Sequence, residues 1–356
     1  MHAFIYEALP SRVIFGIGAL GQLAAEIERL RLAKVMILST PHHRKLSEEV
    51  AVALGDRSAG IYDRVVMHVP LETAQAARDE ARRRGAEGCV ALGGGSTIGL
   101  GKAIALAFGL PIIAVPTTYA GSEMTPIWGI TENGLKKTGR DPKVLPRTVI
   151  YDPNLTVSLP SALSGVSGMN AIAHAVEGLY AQDASPIVSL MAEEGIRALA
   201  SALPLIHADP HDLAARADAL YGAWLCGATL GAVGMALHHK ICHTLGGTFN
   251  LPHAETHAVI LPHAAAYNRT VAAPAMARIA RALAASDAPA ALHDLAIELD
   301  APLALKSLGL READLDRAAD LIVEHPYWNP EPVDWMKIRA LLERAWLGLP
   351  PAAEIP

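Results

Sequence analysis

The chain has 356 residues, with 30 Lys and Arg against 36 Asp and Glu, a formal net charge of −6, and a hydrophobic fraction of 51%. This mildly acidic balance argues against a nucleic acid or an anionic membrane as partner, and the length suffices for two domains with separate cores. An odd number of cysteines (Cys89, Cys226 and Cys242), no signal-peptide pattern and no apolar run long enough for a bilayer predict a soluble cytoplasmic protein without a disulfide framework.

Strand and helix signals alternate over residues 1–159. The expected strands are short and apolar, at 12–15, 34–38, 89–92 and 112–115. The expected helices have apolar residues at spacings of three and four, at 20–30, 46–54, 73–84 and 101–108. Such alternation is typical of a doubly wound parallel sheet with helices on its faces. We therefore expect residues 1–159 to form an α/β domain.

The pattern changes near residue 160. Beyond this point the segments are long, rich in Ala and Leu and periodic in the manner of helices, at 168–181, 186–202, 213–230, 233–245 and 274–285. Pro and Gly separate these segments, and strand signals are scarce. We expect residues 160–356 to form an all-helical domain.

A glycine-rich turn, Gly93-Gly94-Gly95-Ser96-Thr97, follows the expected strand at 89–92 and opens a helix. Glycines let the backbone approach an anion closely, and a helix N-terminus directs N–H groups at phosphate. The turn matches neither the G-x-G-x-x-G fingerprint nor a Walker A loop. Two interpretations stay open, a phosphate-binding turn and a tight turn that binds nothing.

A second polar loop follows the expected strand at 112–115. It contains Thr117, Thr118, Tyr119 and Ser122, whose hydroxyl groups could contact a nucleotide. Ligands of open parallel sheets lie beyond the carboxyl ends of the strands, and both loops are expected at that edge.

Histidines concentrate in the second half of the chain. Asn170 and His174 lie four residues apart and so share one helix face. Five more histidines follow within a short span, at His239, His243, His253, His257 and His263. An Asp at position 170 would complete an Asp/His/His/His metal set, but an amide is a much poorer ligand than a carboxylate for a transition metal.

These segments together resemble the iron-containing alcohol dehydrogenase superfamily. The resemblance is carried by residues 15–18, 93–96, 116–118, 152–156, 168–177, 239–243, 251–255 and 261–263. Within the superfamily the chain is similar to the maleylacetate reductases in three details. These are Gly99 where most relatives have Asp, the segments 118–126 and 138–142, and Asn170 in place of the metal-binding Asp.

The resemblance implies an NAD(P)-binding α/β domain (1–159), an all-helical substrate domain (160–356), and the dehydroquinate synthase-like fold. It further implies NADH- or NADPH-dependent reduction of maleylacetate, a dicarboxylate, to 3-oxoadipate during degradation of aromatic compounds. Hydride would add to the conjugated alkene, with histidines stabilising the enolate. The resemblance also implies a homodimer.

Roles for single residues follow from the same resemblance and from chemistry. The expected catalytic residues are His243, His253 and His174. The expected nucleotide contacts are Ser39, Thr40, Gly93, Gly94, Gly95, Ser96, Thr97, Thr117, Thr118 and Ser122, and the expected substrate contacts are Tyr119, Asn170, His239 and Lys240. Two carboxylates need cationic partners. The candidates are Lys136, Lys137, Arg140 and Arg147, with a solvated surface as the default for the two lysines and a structural ion pair favoured for Arg140.

No metal is expected, although His174, His243 and His253 occupy the family's ligand positions and could hold Zn²⁺ with a water. NAD-selective relatives carry an acidic residue after the second strand, where this chain has Ser39 and Thr40. Because no carboxylate is there to repel a 2′-phosphate, we expect both coenzymes to work.

Three alternatives remain. The first is a metal-dependent alcohol or polyol dehydrogenase of the same superfamily, and Asn170 argues against it. The second is a dehydroquinate-synthase-like lyase, which also needs a metal. The third is a non-enzymatic binding protein, against which the intact glycine turn and histidine set speak.

Overall fold

The computed structural model describes residues 4, 6–9, 11–132 and 135–353, with the backbone alone for Leu135 and Lys136. The chain divides into two compact units. One is Leu9–Leu159, and the other is Pro160–Pro356 together with Met1–Ala8.

The first unit is built on strands. They are β1 (Arg12–Phe15), β2 (Val35–Leu38), β3 (Ser58–Tyr62), β4 (Gly88–Gly93), β5 (Ile112–Pro116), β6 (Ile127–Glu132), β7 (Leu135–Arg140) and β8 (Thr148–Tyr151). Six of them form a parallel sheet in the order β1-β8-β5-β4-β2-β3, and β6 and β7 form an antiparallel pair. The helices of this unit are α1 (Leu23–Arg29), α2 (Arg44–Leu54), α3 (Leu71–Arg83) and α4 (Gly95–Phe108).

The central strands of this sheet are buried on both faces. Along β2, Met36 and Leu38 enter one hydrophobic cluster, whereas Val35 and Ile37 enter another. This alternation is expected of a parallel sheet that helices cover on both sides. From β2 the chain continues outward to β3, and from β4 it continues in the opposite direction to β5. The loops after β2 and β4 therefore meet at a topological switch point, where open α/β sheets bind their ligands.

In the described part of the chain, every regular element after Tyr151 is helical. The second unit contains α5 (Ser161–Tyr180), α6 (Pro186–Ala208), α7 (Leu213–Ala232), α8 (Leu237–Phe249), α9 (His253–Tyr267), α10 (Ala273–Ala282), α11 (Ala288–Glu298), α12 (Leu315–Glu324) and α13 (Trp335–Leu347). Helix α5 is buried continuously from Ser164 to Tyr180 and contacts α6, α7 and α9. A helix that is apolar on all sides belongs in the centre of its unit, and α5 carries Asn170 and His174 there.

The expected fold, an α/β region followed by a helical region, is confirmed. Individual boundaries differ from the sequence predictions because capping and packing set the helix ends. Helix α4 begins at Gly95 rather than at residue 101, and α8 begins at Leu237 rather than at residue 233. Strands β3 and β8 and the β6–β7 pair were not predicted. No single helix among the described residues has the length and apolar composition to cross a membrane, although the bent pair α7–α8 meets both criteria jointly.

Candidate active site

The glycine turn between β4 and α4 is shaped by the side chains around it. Gly93 has a φ of +153°, and a Cβ there would lie 2.5 Å from Thr97 Oγ1. A Cβ on Gly94 would lie 2.9 Å from Thr118 Cγ2, whereas a Cβ on Gly95 would meet only Ala120 Cβ, at 3.5 Å. The first two glycines are therefore required by packing. Gly95 is not, and its missing side chain leaves the start of α4 open.

The N-terminus of α4 has the properties of an anion site. No side chain caps it, since its N-cap residue is Gly94. The first-turn N–H groups and the helix dipole favour a phosphate at such an end. Two buried hydroxyl groups nearby in the fold, Ser39 Oγ after β2 and Thr97 Oγ1 on α4, have no hydrogen-bond partner. Buried polar atoms are nearly always satisfied, so these atoms fit a bound polar ligand such as a nucleotide.

The polar loop after β5 lies next to the glycine turn. The N–H of Thr117 donates to the carbonyl oxygen of Gly93 at 3.2 Å, and β4 and β5 pair up to Gly93 and Pro116. Thr40, after β2, contacts His43 through its hydroxyl group, at 3.2 Å from Nδ1. The fold thus brings the predicted nucleotide residues to one edge of the sheet. Tyr119, a predicted substrate contact, is completely buried within this unit.

The helical unit gathers the predicted histidines from three helices. His174 lies on α5, His239 and His243 lie on α8, and His253 begins α9. The ring centroids of His174 and His239 are 5.1 Å apart and nearly parallel, and those of His239 and His243 are 5.8 Å apart. His253 reaches this group through His257, with ring centroids at 4.4 Å. Residues that are 79 positions apart in the chain therefore form one cluster.

Burial makes four histidines of this cluster, His174, His238, His239 and His257, resist protonation. It lowers the pKa of His174, His238 and His257 well below the ordinary value, and neighbouring histidines lower it further. Burial also lowers the pKa of His239 to about 3. The rings are therefore neutral hydrogen-bonding groups at neutral pH.

Two residues of this cluster were missed by the sequence prediction. The side chain of Glu177, on α5, is completely buried, and its Oε2 lies 2.7 Å from His239 Nδ1. Tyr327 places its hydroxyl group 3.1 Å from His243 Nδ1, and Lys240 Nζ lies 6.0 Å from the centre of the Tyr327 ring. Glu177 follows His174 by three positions, which is a usable helical signal. Tyr327 had none.

Two family models match the chain, "Iron-containing alcohol dehydrogenase" over residues 10–153 and "Fe-containing alcohol dehydrogenase family, C-terminal" over residues 165–346. The chain belongs to the iron-containing alcohol dehydrogenase family. It is accordingly a nicotinamide-dependent oxidoreductase.

Several maleylacetate reductases of this family are similar to the chain along its length. The Burkholderia cepacia enzyme is 58% identical over 352 residues, which are 99% of this chain and 100% of the relative. The Sphingobium indicum enzyme is 55% identical over 348 residues, with 98% and 99% covered. The crystal structure of maleylacetate reductase from Agrobacterium tumefaciens superposes with a TM-score of 0.95 at 51% identity, with 99% and 100% covered.

The metal of the iron-containing family does not fit the residues present. Position 170 supplies an amide, a poor ligand for a transition metal. Among the described residues, the group with ligand atoms within 4.8 Å of one another is His238, Cys242 and His257. It contains none of the three histidines, His174, His243 and His253, that the resemblance implies as ligands. Its own members bond to one another, with His238 Nε2 2.9 Å from His257 Nδ1 and 3.7 Å from Cys242 Sγ.

The cationic candidates lie in the α/β unit. Lys137 forms an ion pair with Glu132, in agreement with a surface role. Arg140 and Arg147 are exposed, and the side chain of Lys136 lies outside the described residues.

Proposed function

We propose that this protein reduces maleylacetate to 3-oxoadipate with NADH or NADPH and without a bound metal. The observation that carries the proposal is Asn170. It replaces the metal-binding carboxylate in a histidine cluster that is otherwise retained, in a chain similar over its full length to maleylacetate reductases.

The nucleotide is held, in this proposal, by the carboxyl edge of the sheet. The open N-terminus of α4 takes the diphosphate, and the unpartnered hydroxyl groups of Ser39 and Thr97 supply hydrogen bonds. When bound, the reduced nicotinamide supplies a hydride to the alkene carbon conjugated with the substrate ketone. No carboxylate directly follows β2, so we propose that both coenzymes are used. A preference for NADH above about tenfold in kcat/KM would contradict this.

The histidines of the helical unit act on the substrate. Hydride addition to an enone moves charge onto the ketone oxygen, and His243 and His253 are proposed to stabilise that charge by hydrogen bonds. His174 and Asn170 contribute further polar contacts, and Lys240 is the candidate partner of one carboxylate. An alcohol dehydrogenase must instead lower the pKa of a saturated alcohol, for which a metal is the usual means.

The test is NADH oxidation with maleylacetate, before and after exhaustive chelation, with metal content measured on both samples. We expect the rate to be unchanged after chelation. Turnover restricted to alcohols or polyols would refute the proposal, and turnover that vanishes with the metal would refute its metal-independent part.

Light scattering checks the homodimer, which is proposed from the resemblance.

His243→Asn and His253→Asn probe the assignment of the histidines, with the exposed Lys137→Met as the matched control. Loss of a residue that assists charge or proton movement costs about 100-fold or more in kcat. We expect such losses for both histidines and a rate close to wild type for Lys137→Met. Equal losses in all three variants would contradict the assignment.

A further inference from the structure

Glu177 is a buried carboxylate with an unusual set of partners. Its side chain is 0% exposed, and no Lys or Arg in the described ranges forms an ion pair with it. A buried acidic group is costly unless it is well hydrogen-bonded. The hydrogen bonds of Glu177 therefore indicate its role.

Three nitrogen atoms lie within hydrogen-bond distance of this carboxyl group. Oε1 accepts from the backbone N–H of His238 at 2.6 Å, and Oε2 accepts from the backbone N–H of Ala236 at 2.8 Å. These two bonds cap α8, whose own N-cap residue, Ala236, makes no side-chain cap. The third contact, at 2.7 Å, is between Oε2 and Nδ1 of His239. One carboxylate thus fixes both the start of α8 and the orientation of the His239 ring.

The other nitrogen of His239 is left available. Nε2 is buried and has no hydrogen-bond partner, and the same holds for Asn170 Oδ1 and His174 Nδ1. The ring of His174 stacks on that of His239, with centroids at 5.1 Å. Unsatisfied polar atoms in a buried cluster of this kind fit a polar ligand. Of these atoms, His239 Nε2 belongs to the ring whose other nitrogen is hydrogen-bonded to the buried Glu177.

We propose that Glu177 is a positioning residue, which holds His239 so that Nε2 hydrogen-bonds the substrate ketone oxygen and delivers the proton of the reaction. This inference rests on the proposed function. It adds a source for the proton, a role that the proposed function gives to neither His243 nor His253. A carboxyl group hydrogen-bonded to Nδ1 fixes the orientation and the tautomer of an imidazole ring in other proton-transfer sites too.

The protons and electrons balance. The hydride from the reduced nicotinamide forms a C–H bond at the alkene carbon, and the alkene and carbonyl electron pairs shift towards the ketone oxygen. That oxygen takes the proton from Nε2, and the resulting enol returns to the ketone. As Nε2 loses its proton, the carboxyl proton of Glu177 passes to Nδ1, which leaves a neutral imidazole beside a Glu177 carboxylate, and solvent restores the lost proton.

The environment favours a neutral pair that shares a proton. Burial raises the pKa of Glu177 to about 8, although the backbone N–H groups of Ala236 and His238 oppose the rise. Burial lowers the pKa of His239 to about 3. Both directions favour a resting pair without charge. In the proposed arrangement the Glu177 carboxyl group donates its proton to Nδ1, so the ring hydrogen of His239 is on Nε2.

The experiment compares His239→Asn, Glu177→Gln and the double variant. His239→Asn keeps both capping bonds of Glu177 and so separates proton delivery from folding. We expect kcat with maleylacetate to fall by about 100-fold, while the NADH dissociation constant is unchanged. The solvent isotope effect on kcat should rise, because proton transfer becomes slower than hydride transfer. If Glu177 acts through His239, the two losses are not additive in the double variant.

His263→Asn is the control, since it removes another buried histidine of the same unit, 3% exposed, that has no contact with this pair. We expect it to keep kcat. If the wild-type protein turns over maleylacetate and His239→Asn has the same kcat, the inference is overturned and the proposed function stands. Additive losses would also overturn it, since Glu177 would then act on the fold alone. Absence of turnover in the wild-type protein would be a failure of the proposed function itself.

Discussion

The ammonium group of Lys102 donates to the carbonyl oxygen of Ser122 at 2.6 Å, and this bond ties α4 to the loop that follows β5. The same group donates to Thr125 Oγ1 at 2.9 Å and to the carbonyl oxygen of Ile127 at 2.7 Å. Lys102 is 1% exposed. The two predicted nucleotide-binding loops are therefore coupled through one buried side chain.

Replacing Lys102 by Met should loosen the second loop. The change leaves buried acceptors without donors, which costs about 1–3 kcal/mol of unfolding free energy. We expect a lower urea midpoint and a higher KM for NADH, measured beside the exposed Lys143→Met as control. A loss of stability with an unchanged KM would show that Lys102 supports the fold without shaping the site.

Gly95→Ala tests the open N-terminus of α4. Its Cβ would make only an ordinary contact with Ala120, at 3.5 Å, so the fold should be unaffected. The methyl group would nevertheless occupy the approach to the first-turn N–H groups. We expect the dissociation constant for NADH to rise about tenfold or more, which is about 1.4 kcal/mol. Gly21→Ala, with nothing within 4 Å, should leave it unchanged. Unchanged binding in Gly95→Ala would favour a turn that binds nothing.

Asn170→Asp should restore metal binding. The carboxylate supplies the ligand missing from the set that the resemblance implies, with His174, His243 and His253, and carboxylates bind divalent ions far better than amides. After loading with Zn²⁺ and dialysis, we expect about one equivalent of metal in the variant and none in wild type. Asn154→Asp makes the same chemical change at an exposed position and should bind none. Equal metal content in wild type and Asn170→Asp would contradict the reasoning.

The buried histidines should make the protein sensitive to mild acid. Burial lowers the pKa of His263 to about 3, and Coulombic repulsion from His293 and Arg344 adds to the effect. The unfolded chain therefore binds a proton below pH ~6.5 that the folded chain does not bind until the pH nears its folded pKa. Stability is thus complete above pH ~6.5 and is lost as the pH falls between these two values.

The His263→Asn variant measures that contribution. Its unfolding free energy should fall less steeply with decreasing pH than that of wild type, by about 1.4 kcal/mol per pH unit. The control is His211→Asn, whose side chain is 79% exposed. It should keep the wild-type slope. Identical slopes in all three proteins would mean that His263 is protonated in the folded state.

Several short apolar strands were predicted well from the sequence. The strand at 12–15 has the observed bounds, and that at 112–115 is one residue short. A short run of apolar residues is a local property of the sequence, and it can be read without knowledge of the fold. Strand β3, Ser58–Tyr62, includes Ser58 and Gly60, so it has no continuous apolar run and carried no comparable signal.

For the site, the sequence by itself determined the chemical groups: the glycine turn, the hydroxyl groups of both loops, the histidines and the amide at Asn170. Residue types and spacing suffice for this, because they decide which atoms a helix face or a strand end presents. Only the tertiary structure decided the partners. Glu177 meets His239 across 62 positions of the chain, and Tyr327 meets His243 across 84. Such contacts depend on how helices pack, and no local pattern encodes that.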